Sequence, residues 1–414
     1  MVLRYSFPAV VSLALSCTGT VKSSQTGDPK PASPEFACTT PAQAPADFSA
    51  LNGFGFRLYA SLVTTGRKTN ENLVVSPLSA AIALGMVHQG ATGATEQEIS
   101  QVLVGSVDDK LDEKMAKLIA DSQRCSLGMT SAVANALWVK DRSVFKNDYL
   151  TAVGKNYGAD VSSPIDQTAI DSWVKQKTHS RIKSMPVDAS ALVALLNALY
   201  LKGTWTVSFD PNDTKLGTFV LEDGSRSSAL YMHRAGYYKA AFTHEYLAVR
   251  LPFGKNQEAS LTFVMPSTTA AFRSFEASFS DATWKQVKAA LVNNDLSLEL
   301  PKITTSSDLE LIPPLREVGL RMTLGFAPDL SGMMDLLHAG DYMIGTVRQK
   351  TFLEINEKGA EAAAVTLITV VPTSADSGPT PVRFNRPFLV VLEDTKTGVV
   401  SFIGSITNPV YKGD

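Results

Sequence analysis

The segment NLVVSPLSAAIALGMVHQGATGATEQEISQVL, Asn72 to Leu103, decides the fold class because it contains two kinds of secondary structure. Its residues predict, in order, a strand, a turn, a helix, a glycine stop and a second helix. Thr95 and Glu98 have the spacing of a capping box, so the second helix is predicted to begin near them. Strand and helix patterns therefore alternate from the start of the folded region.

The rest of the folded region repeats this mixture without a regular βαβ order. Asp47 to Thr65 carries apolar residues at helical spacing, and three apolar runs predict strands that are covered on both faces. Those runs are SAVANALWVK, ALVALLNALYLKGTW and LSLELPKI. FLVVLEDTKTGVVSFIG predicts a hairpin near the end of the chain. We expect an α+β fold.

Composition and charge limit the possible functions of the chain. The chain has 414 residues, of which 44% are hydrophobic and 19% charged, so it can bury a large core. Its formal net charge of −2 provides no broad field for nucleic acid or for an anionic membrane surface. We therefore expect no nucleic-acid partner.

No sequence motif in the chain points to catalysis. There is no G-x-S-x-G elbow, no phosphate-binding Walker A loop, no H-E-x-x-H helix and no paired C-x-x-C. The five histidines are scattered, which does not favour a metal site; they are His88, His179, His233, His244 and His338. We expect no enzyme activity, no cofactor and no metal.

The first 17 residues have the pattern of a targeting signal. Arg4 precedes an apolar run that is too short to span a bilayer comfortably, and the run ends at Cys17. Ala14 to Cys17 resembles the lipobox of bacterial lipoproteins, in which the cysteine is lipidated; an ordinary cleaved secretory signal is the alternative. Residues 18–46 are rich in Ser, Thr and Pro and predict a tether, followed by a folded domain at 47–414. Both alternatives place the protein outside the cytoplasm, with a lipid as its only membrane contact.

The three cysteines leave one candidate disulfide. If Cys17 is lipidated or removed, then Cys38 and Cys125 remain as a pair in an oxidising compartment. Spacing alone does not decide whether they approach within bonding distance.

The segment EKGAEAAAVTLITVVPTSADSGP, Glu357 to Pro379, combines two conflicting local propensities. Ala360 to Ala364 favours a helix, whereas Val365 to Val371 consists of strand formers. A segment of this kind is a candidate for a change of conformation.

Several motifs, in order along Phe48 to Pro409, resemble the serpin family of protease inhibitors. NLVVSPLSAAIALGMVHQGATGAT is similar to the first strand and helix of that family, and VANALWV and YLKGTW are similar to two strands of its main sheet. LELPKI and FAPDLSGM follow in family order, VRFNRPFLVVL fits the C-terminal signature, and EKGAEAAAVT fits the hinge of the reactive loop. The resemblance implies a serpin fold with a large mixed central sheet, two further sheets, eight or nine helices and an exposed reactive-centre loop.

The resemblance also implies a use for the alanine-rich segment. In serpins a target protease cuts the exposed loop, and the first half of the loop then inserts as a strand into the main sheet. The implied hinge residues are Glu357, Gly359, Ala360, Glu361, Ala362, Ala363 and Ala364. Alternate side chains of an inserted strand are buried, so one set must be small or apolar, and it is: Ala360, Ala362, Ala364, Thr366, Ile368 and Val370. No proline occurs from Gly359 to Val371, so the strand would keep all its backbone donors.

Family spacing gives two alternatives for the reactive bond. Counting forward from Gly359 places it between Thr373 and Ser374, whereas counting back from Phe384 places it between Asp376 and Ser377. The forward count is preferred because the inserting length is set from the hinge. The residues around this bond are small or β-branched, which favours an elastase-like or subtilisin-like serine protease as the target, with a papain-like cysteine protease as the alternative.

A sheet-opening latch is also implied by the resemblance. Serpins combine serines at the head of an early helix with an asparagine on a central strand and a histidine on the strand before the loop. Ser76, Ser79 and Asn197 match this pattern, but Gln349 occupies the place of the histidine. A glutamine amide can donate and accept hydrogen bonds, yet it cannot gain a proton near neutral pH.

The resulting hypothesis is a monomeric, irreversible suicide-substrate inhibitor that forms a covalent complex with an extracytoplasmic protease. The alternative is a non-inhibitory serpin that acts as a binding or chaperone-like protein.

Overall fold

The computed structural model describes residues 48–123, 129–188, 191–325, 328–334, 344–359 and 378–412, all within one compact unit. These residues form nine α-helices: α1 (Leu51–Thr65), α2 (Pro77–His88), α3 (Gly93–Val104), α4 (Leu111–Ser122), α5 (Asn147–Tyr157), α6 (Gln167–Lys177), α7 (Phe272–Ser278), α8 (Asp281–Ala290) and α9 (Ile312–Glu317). No described helix is both long and apolar enough to cross a membrane.

The described strands form two sheets. The five-stranded sheet has the order β10-β11-β4-β2-β3, with β2 (Met129–Val139), β3 (Asp160–Ser162), β4 (Val193–Gly203), β10 (Ile303–Glu310) and β11 (Thr346–Ile355). The sheet is mixed, because β11 pairs in parallel with β4 while β4 pairs antiparallel with β2.

The other sheet has nine strands. Along its path the order is β1-β14-β13-β8-β7-β6-β9-β12, and β5 pairs with β6. Its strands are β1 (Leu73–Val75), β5 (Lys215–Val220), β6 (Arg226–Phe242), β7 (Tyr246–Phe253), β8 (Ala259–Pro266), β9 (Val292–Pro301), β12 (Thr380–Arg383), β13 (Phe388–Asp394) and β14 (Val400–Ile406). The long strands β6 and β9 run through and join what would otherwise be two smaller sheets.

Helix α2 passes through the centre of the protein. Ser76 is its N-cap and accepts a hydrogen bond from the Ser79 N–H, and Pro77 occupies the first turn, where a missing donor costs nothing. All twelve residues of the helix are buried, as expected for a helix that is apolar on every side. The predicted strand, turn and helix in this segment are confirmed.

The capping box predicted at Thr95 and Glu98 is wrong. Helix α3 begins earlier, after Thr92, and Thr95 Oγ1 instead accepts the N–H of Asp329 at 2.9 Å. The Glu98 carboxylate accepts the N–H groups of the turn that follows α9, at 2.7 to 3.1 Å from Arg321, Met322 and Thr323. Both side chains therefore accept hydrogen bonds from backbone N–H groups that are distant in sequence, and neither caps α3.

Three buried clusters hold the layers together. The largest lies among α1 to α5, α7, α8 and the inner faces of both sheets. The second joins the nine-stranded sheet to β10 and β11. The third lies between α6 and the outer face of β2 and β4. The five-stranded sheet is thus covered on one face by α2 and on the other by α6.

Candidate functional site

The candidate site begins at the parallel pair formed by β4 and β11. Residues 346–352 of β11 pair with residues 194–200 of β4, and the two strands run in the same direction. A strand that ran back from the end of β11 and entered between them would be antiparallel to both. The chain leaving β11 turns back at Asn356 and is therefore already oriented for that path.

Gly359 lies at the top of this pair. It forms antiparallel bridges with Asn356, which follows β11, and with Thr204, which follows β4. Its φ is +111°, and a Cβ at this position would lie 2.3 Å from the carbonyl oxygen of Gly203. Both the backbone conformation and the close approach of that backbone require glycine here.

The turn that ends at Gly359 is held by the segment after β4. The Trp205 N–H donates to the Lys358 carbonyl at 3.2 Å, and Trp205 Nε1 donates to the Asn356 carbonyl at 3.0 Å. The Trp205 ring stacks on Phe253 with 4.5 Å between centroids, which fixes its position. One buried tryptophan thus stabilises the hinge turn through two hydrogen bonds.

Glu357, another predicted hinge residue, is buried and ion-paired. Its carboxylate lies 2.9 Å from Lys302 Nζ and accepts the Thr214 hydroxyl at 2.7 Å, while its carbonyl accepts the Phe209 N–H at 2.8 Å. Burial acts to raise the pKa of Glu357, but the hydrogen bonds from Lys302 and Thr214 outweigh it and leave the pKa below its ordinary value. Glu357 therefore holds the hinge turn to residues that adjoin β5 and β9 of the other sheet.

The four residues predicted as a latch lie together halfway along β4 and β11. Gln349 is fully buried; its Oε1 accepts the Ser76 N–H at 2.8 Å, and its Nε2 donates to the Ser76 carbonyl at 3.0 Å. The Ser79 hydroxyl donates to Asn197 Oδ1. Gln349 and Asn197 are direct partners across the parallel pair. The head of α2 is thereby joined to both strands.

Sequence reasoning missed Asn135, which extends this network. Its Oδ1 accepts Asn197 Nδ2 at 2.7 Å, and its Nδ2 donates to the Tyr157 carbonyl at 3.3 Å. Asn135 and Asn197 are paired across β2 and β4. The signal was present, since both belong to an Asn-Ala-Leu triplet inside an apolar strand. A buried amide in such a strand needs partners of its own.

Other predicted site residues lie outside the described part of the chain. They are Ala360, Glu361, Ala362, Ala363, Ala364, Thr373, Ser374, Asp376, Ser377, Cys17, Cys38 and Cys125. The chain on either side of 360–377 is anchored in different sheets: β11 precedes it in the five-stranded sheet, and β12 follows it, pairing in parallel with β9. Among the residues that are described, no group of three or more His, Cys, Asp or Glu is placed to hold a metal ion.

Comparison with known proteins assigns the family. The family model described as serpin (serine protease inhibitor) matches residues 49–409. Serpin-Z2B of Triticum aestivum is 30% identical over 383 residues, which cover 86% of this chain and 95% of that protein. The chain belongs to the serpin family, whose members are generally protease inhibitors and bind target proteases.

Solved structures agree with this fold. Serpin48 of the insect Tenebrio molitor, described as a highly specific serpin, is 26% identical with a TM-score of 0.74, covering 87% of this chain and 97% of that one. Native protease nexin-1 with heparin gives a TM-score of 0.76 at 23% identity, covering 87% and 98%. The predicted α+β serpin fold is confirmed.

Proposed function

We propose that this protein is an irreversible suicide-substrate inhibitor of an extracytoplasmic protease. The observation that carries the proposal is the position of Gly359, which forms bridges with Thr204, just beyond the end of β4, and with Asn356, just beyond the end of β11. A strand that continued the pairing from these two bridges would enter between β4 and β11.

The register of the inserted strand follows if the pairing of Gly359 with Thr204 and with Asn356 is continued one residue at a time. Residues 360–370 would then lie alongside the whole of β4 (Val193–Gly203). In this register Thr366 would lie opposite both Gln349 and Asn197. In the present structure, before insertion, those two residues are partners of each other. Insertion would therefore have to separate the two latch residues.

The same register predicts which side chains enter the core. Directly opposed residues in an antiparallel pair share a face. Ala360 and Ala362 would lie opposite Ile355 and Leu353, which are 1% and 3% exposed, whereas Glu361 would lie opposite the half-buried Glu354. The small, uncharged set therefore falls on the buried face. This agreement supports insertion, since the sequence pattern and the ladder positions are independent.

The target protease would be trapped at the acyl-enzyme stage of its own reaction. Attack on the reactive bond leaves an acyl-enzyme on the residue before the cut, and insertion must outrun hydrolysis of that ester by water. The inhibitor contributes no catalytic group; it contributes a folded state held by a kinetic barrier. We place the bond at Thr373-Ser374 and the target among serine proteases that accept small or β-branched residues.

The test is a protease panel. The intact protein is mixed with an elastase-like enzyme, a subtilisin, a trypsin-like enzyme and a papain-like enzyme, and products are separated in SDS. We expect a stable band at the summed mass with the elastase-like enzyme or the subtilisin. A band with the papain-like enzyme alone would assign the target to cysteine proteases, and cleavage without any such band would favour a non-inhibitory serpin.

We further propose that the protein works outside the cytoplasm, tethered through Cys17. The support is the sequence of residues 1–17 and the Ser/Pro/Thr-rich segment after it. Cys17→Ala should abolish palmitate labelling and release the protein from the membrane fraction, whereas Cys38→Ala should change neither. A parent protein that is not labelled would leave the plain secretory signal.

A further inference from the structure

A cavity of about 380 Å³ lies where β6 and β7 separate. Only residues 239–242, at the end of β6, pair with β7, whereas the preceding part of β6 pairs with β9 and not with β7. The segment after β4 takes its place on β7, since Trp205 pairs with Phe253 and the Thr206 N–H donates to the Pro252 carbonyl at 2.9 Å. The fork leaves a space within the size range of small-molecule sites.

The lining of this fork cavity carries positive charge. Three of its fourteen lining residues are cationic (Arg234, Lys239 and Arg250), and none is acidic. The only polar contacts of the Arg234 guanidinium with described residues are neutral: it donates to Tyr238 Oη at 2.8 Å and to the Val207 carbonyl. It also lies 5.0 Å from the centre of the Tyr238 ring. Its charge is therefore left without a counter-ion.

The other two cations are also only partly neutralised. Arg250 lies 3.3 Å from the Glu393 carboxylate, but Lys288 pairs with the same carboxylate. Lys239 is exposed and makes no ion pair with a described residue. Burial lowers the pKa of Arg250 against the opposing effect of Glu393, as expected for a partly desolvated cation. An anion in the cavity would meet a net excess of positive charge.

The remaining lining is part apolar and part polar, and it contains one buried hydroxyl without a hydrogen-bond partner among the described residues. Trp205, Leu251 and Pro252 form part of the lining, and Tyr237 is 73% exposed. Ser260 is one of the lining residues, and its hydroxyl is buried and forms no hydrogen bond with any described residue. A buried hydroxyl without a partner is costly, so a bound acceptor would stabilise it.

We propose that the fork cavity binds a small organic anion with a flat, apolar body. The anionic group would lie among Arg234, Lys239 and Arg250 and accept from Ser260, while the body would lie against the aromatic and apolar lining. The cavity shares only Trp205 with the contacts that hold the hinge turn. Binding can therefore be measured whether or not the protein inhibits a protease.

The test uses naphthalene-2-sulfonate as the anion and naphthalene-2-sulfonamide as its neutral counterpart, each titrated calorimetrically into the full-length protein. We expect one site, with the sulfonate binding about tenfold more tightly than the sulfonamide and more weakly as salt is raised. Lys239→Glu and Arg234→Gln should each weaken sulfonate binding about tenfold. Lys215→Glu is the matched control, because Lys215 is also an exposed strand lysine but does not line the cavity.

Three results would overturn the proposal: no binding of the sulfonate, equal binding of the sulfonamide, or unchanged binding by Lys239→Glu. The last variant keeps the test valid if Arg234→Gln does not fold, since Lys239 is exposed and holds no described residue in place.

Discussion

Gln349 lies directly opposite Asn197 in the parallel pair of β11 and β4, and both side chains contact residues at the head of α2. The pair therefore joins the two strands that must separate if a third strand is to enter between them. Gln349 is neutral at every physiological pH, so the junction depends on hydrogen bonds alone.

Gln349→Leu should lower the thermal midpoint of the intact protein. The change replaces the amide by an apolar group and leaves the buried Ser76 N–H without its acceptor, at a cost of about 1–3 kcal/mol. Gln97→Leu, an exposed position on α3, is the control and should melt within a degree or so of the parent. Equal midpoints for the two variants would show that the latch adds no stability.

Glu357→Gln should destabilise the protein near pH 7 by roughly 1–3 kcal/mol through loss of the charged contact with Lys302. The folded pKa of Glu357 lies below the ordinary value of 4.5, so its stabilisation is complete above that value and is lost as the pH falls through the folded pKa. The difference in thermal midpoint between parent and variant should therefore shrink as the pH is lowered below 4.5. Glu317→Gln, at an exposed position, is the control for the substitution itself. A difference for Glu357→Gln that stays constant with pH would rule out the ion pair as its source.

Gly359→Ala should destabilise the intact protein more than Gly224→Ala does. Both glycines have positive φ, +111° and +83°, but a Cβ at Gly224 meets nothing within 4 Å while one at Gly359 meets the Gly203 carbonyl at 2.3 Å. Gly224→Ala therefore measures the backbone cost alone, roughly 1 kcal/mol. The check is thermal unfolding of the two variants beside the parent; equal losses would mean that the backbone at Gly203 yields without cost.

Ala360→Arg should turn the inhibitor into a substrate. In the register that continues from Gly359, this side chain enters the core opposite Ile355, so arginine would bury an unpaired cation and slow insertion. The loop should still be cut at the same bond, but active protease should be released. Glu361→Arg is the control, since position 361 falls on the other face. In the parent, cutting should raise the melting temperature markedly, because the inserted strand gains ladder hydrogen bonds; no rise, together with full inhibition by Ala360→Arg, would refute insertion.

Thr373→Arg should redirect the inhibitor towards trypsin-like proteases, whose pocket carries a buried carboxylate. In the parent, mass spectrometry of the fragment released by an inhibited protease should find a new N-terminus at Ser374. A terminus at Ser377 would show instead that the bond lies after Asp376, and Asp376→Arg would then be the variant that changes the target.

Several features were predictable because they depend on local pattern. The apolar runs that became β2, β4 and β9 and the hairpin of β13 and β14 were recognisable from hydrophobicity and a glycine-containing turn. The capping box at Thr95 failed because a distant backbone N–H, that of Asp329, competed for the same oxygen. Short-range rules hold where the nearest partner in sequence is also the nearest in space.

The sequence by itself determined the family and the fold class. It also contains the proline-free small-residue segment after Gly359 and the four residues whose role as a latch stays a prediction. Only the tertiary structure decided that Gly359 forms bridges with both Thr204 and Asn356, that Asn135 bonds to Asn197, that Lys302 pairs with Glu357, and that three cations line the fork cavity. The physical reason is that these relationships join residues far apart in sequence, and which partners meet is fixed by strand order and register. A hydrophobic pattern specifies the face on which a side chain lies, but it carries no information about which strand lies beside it.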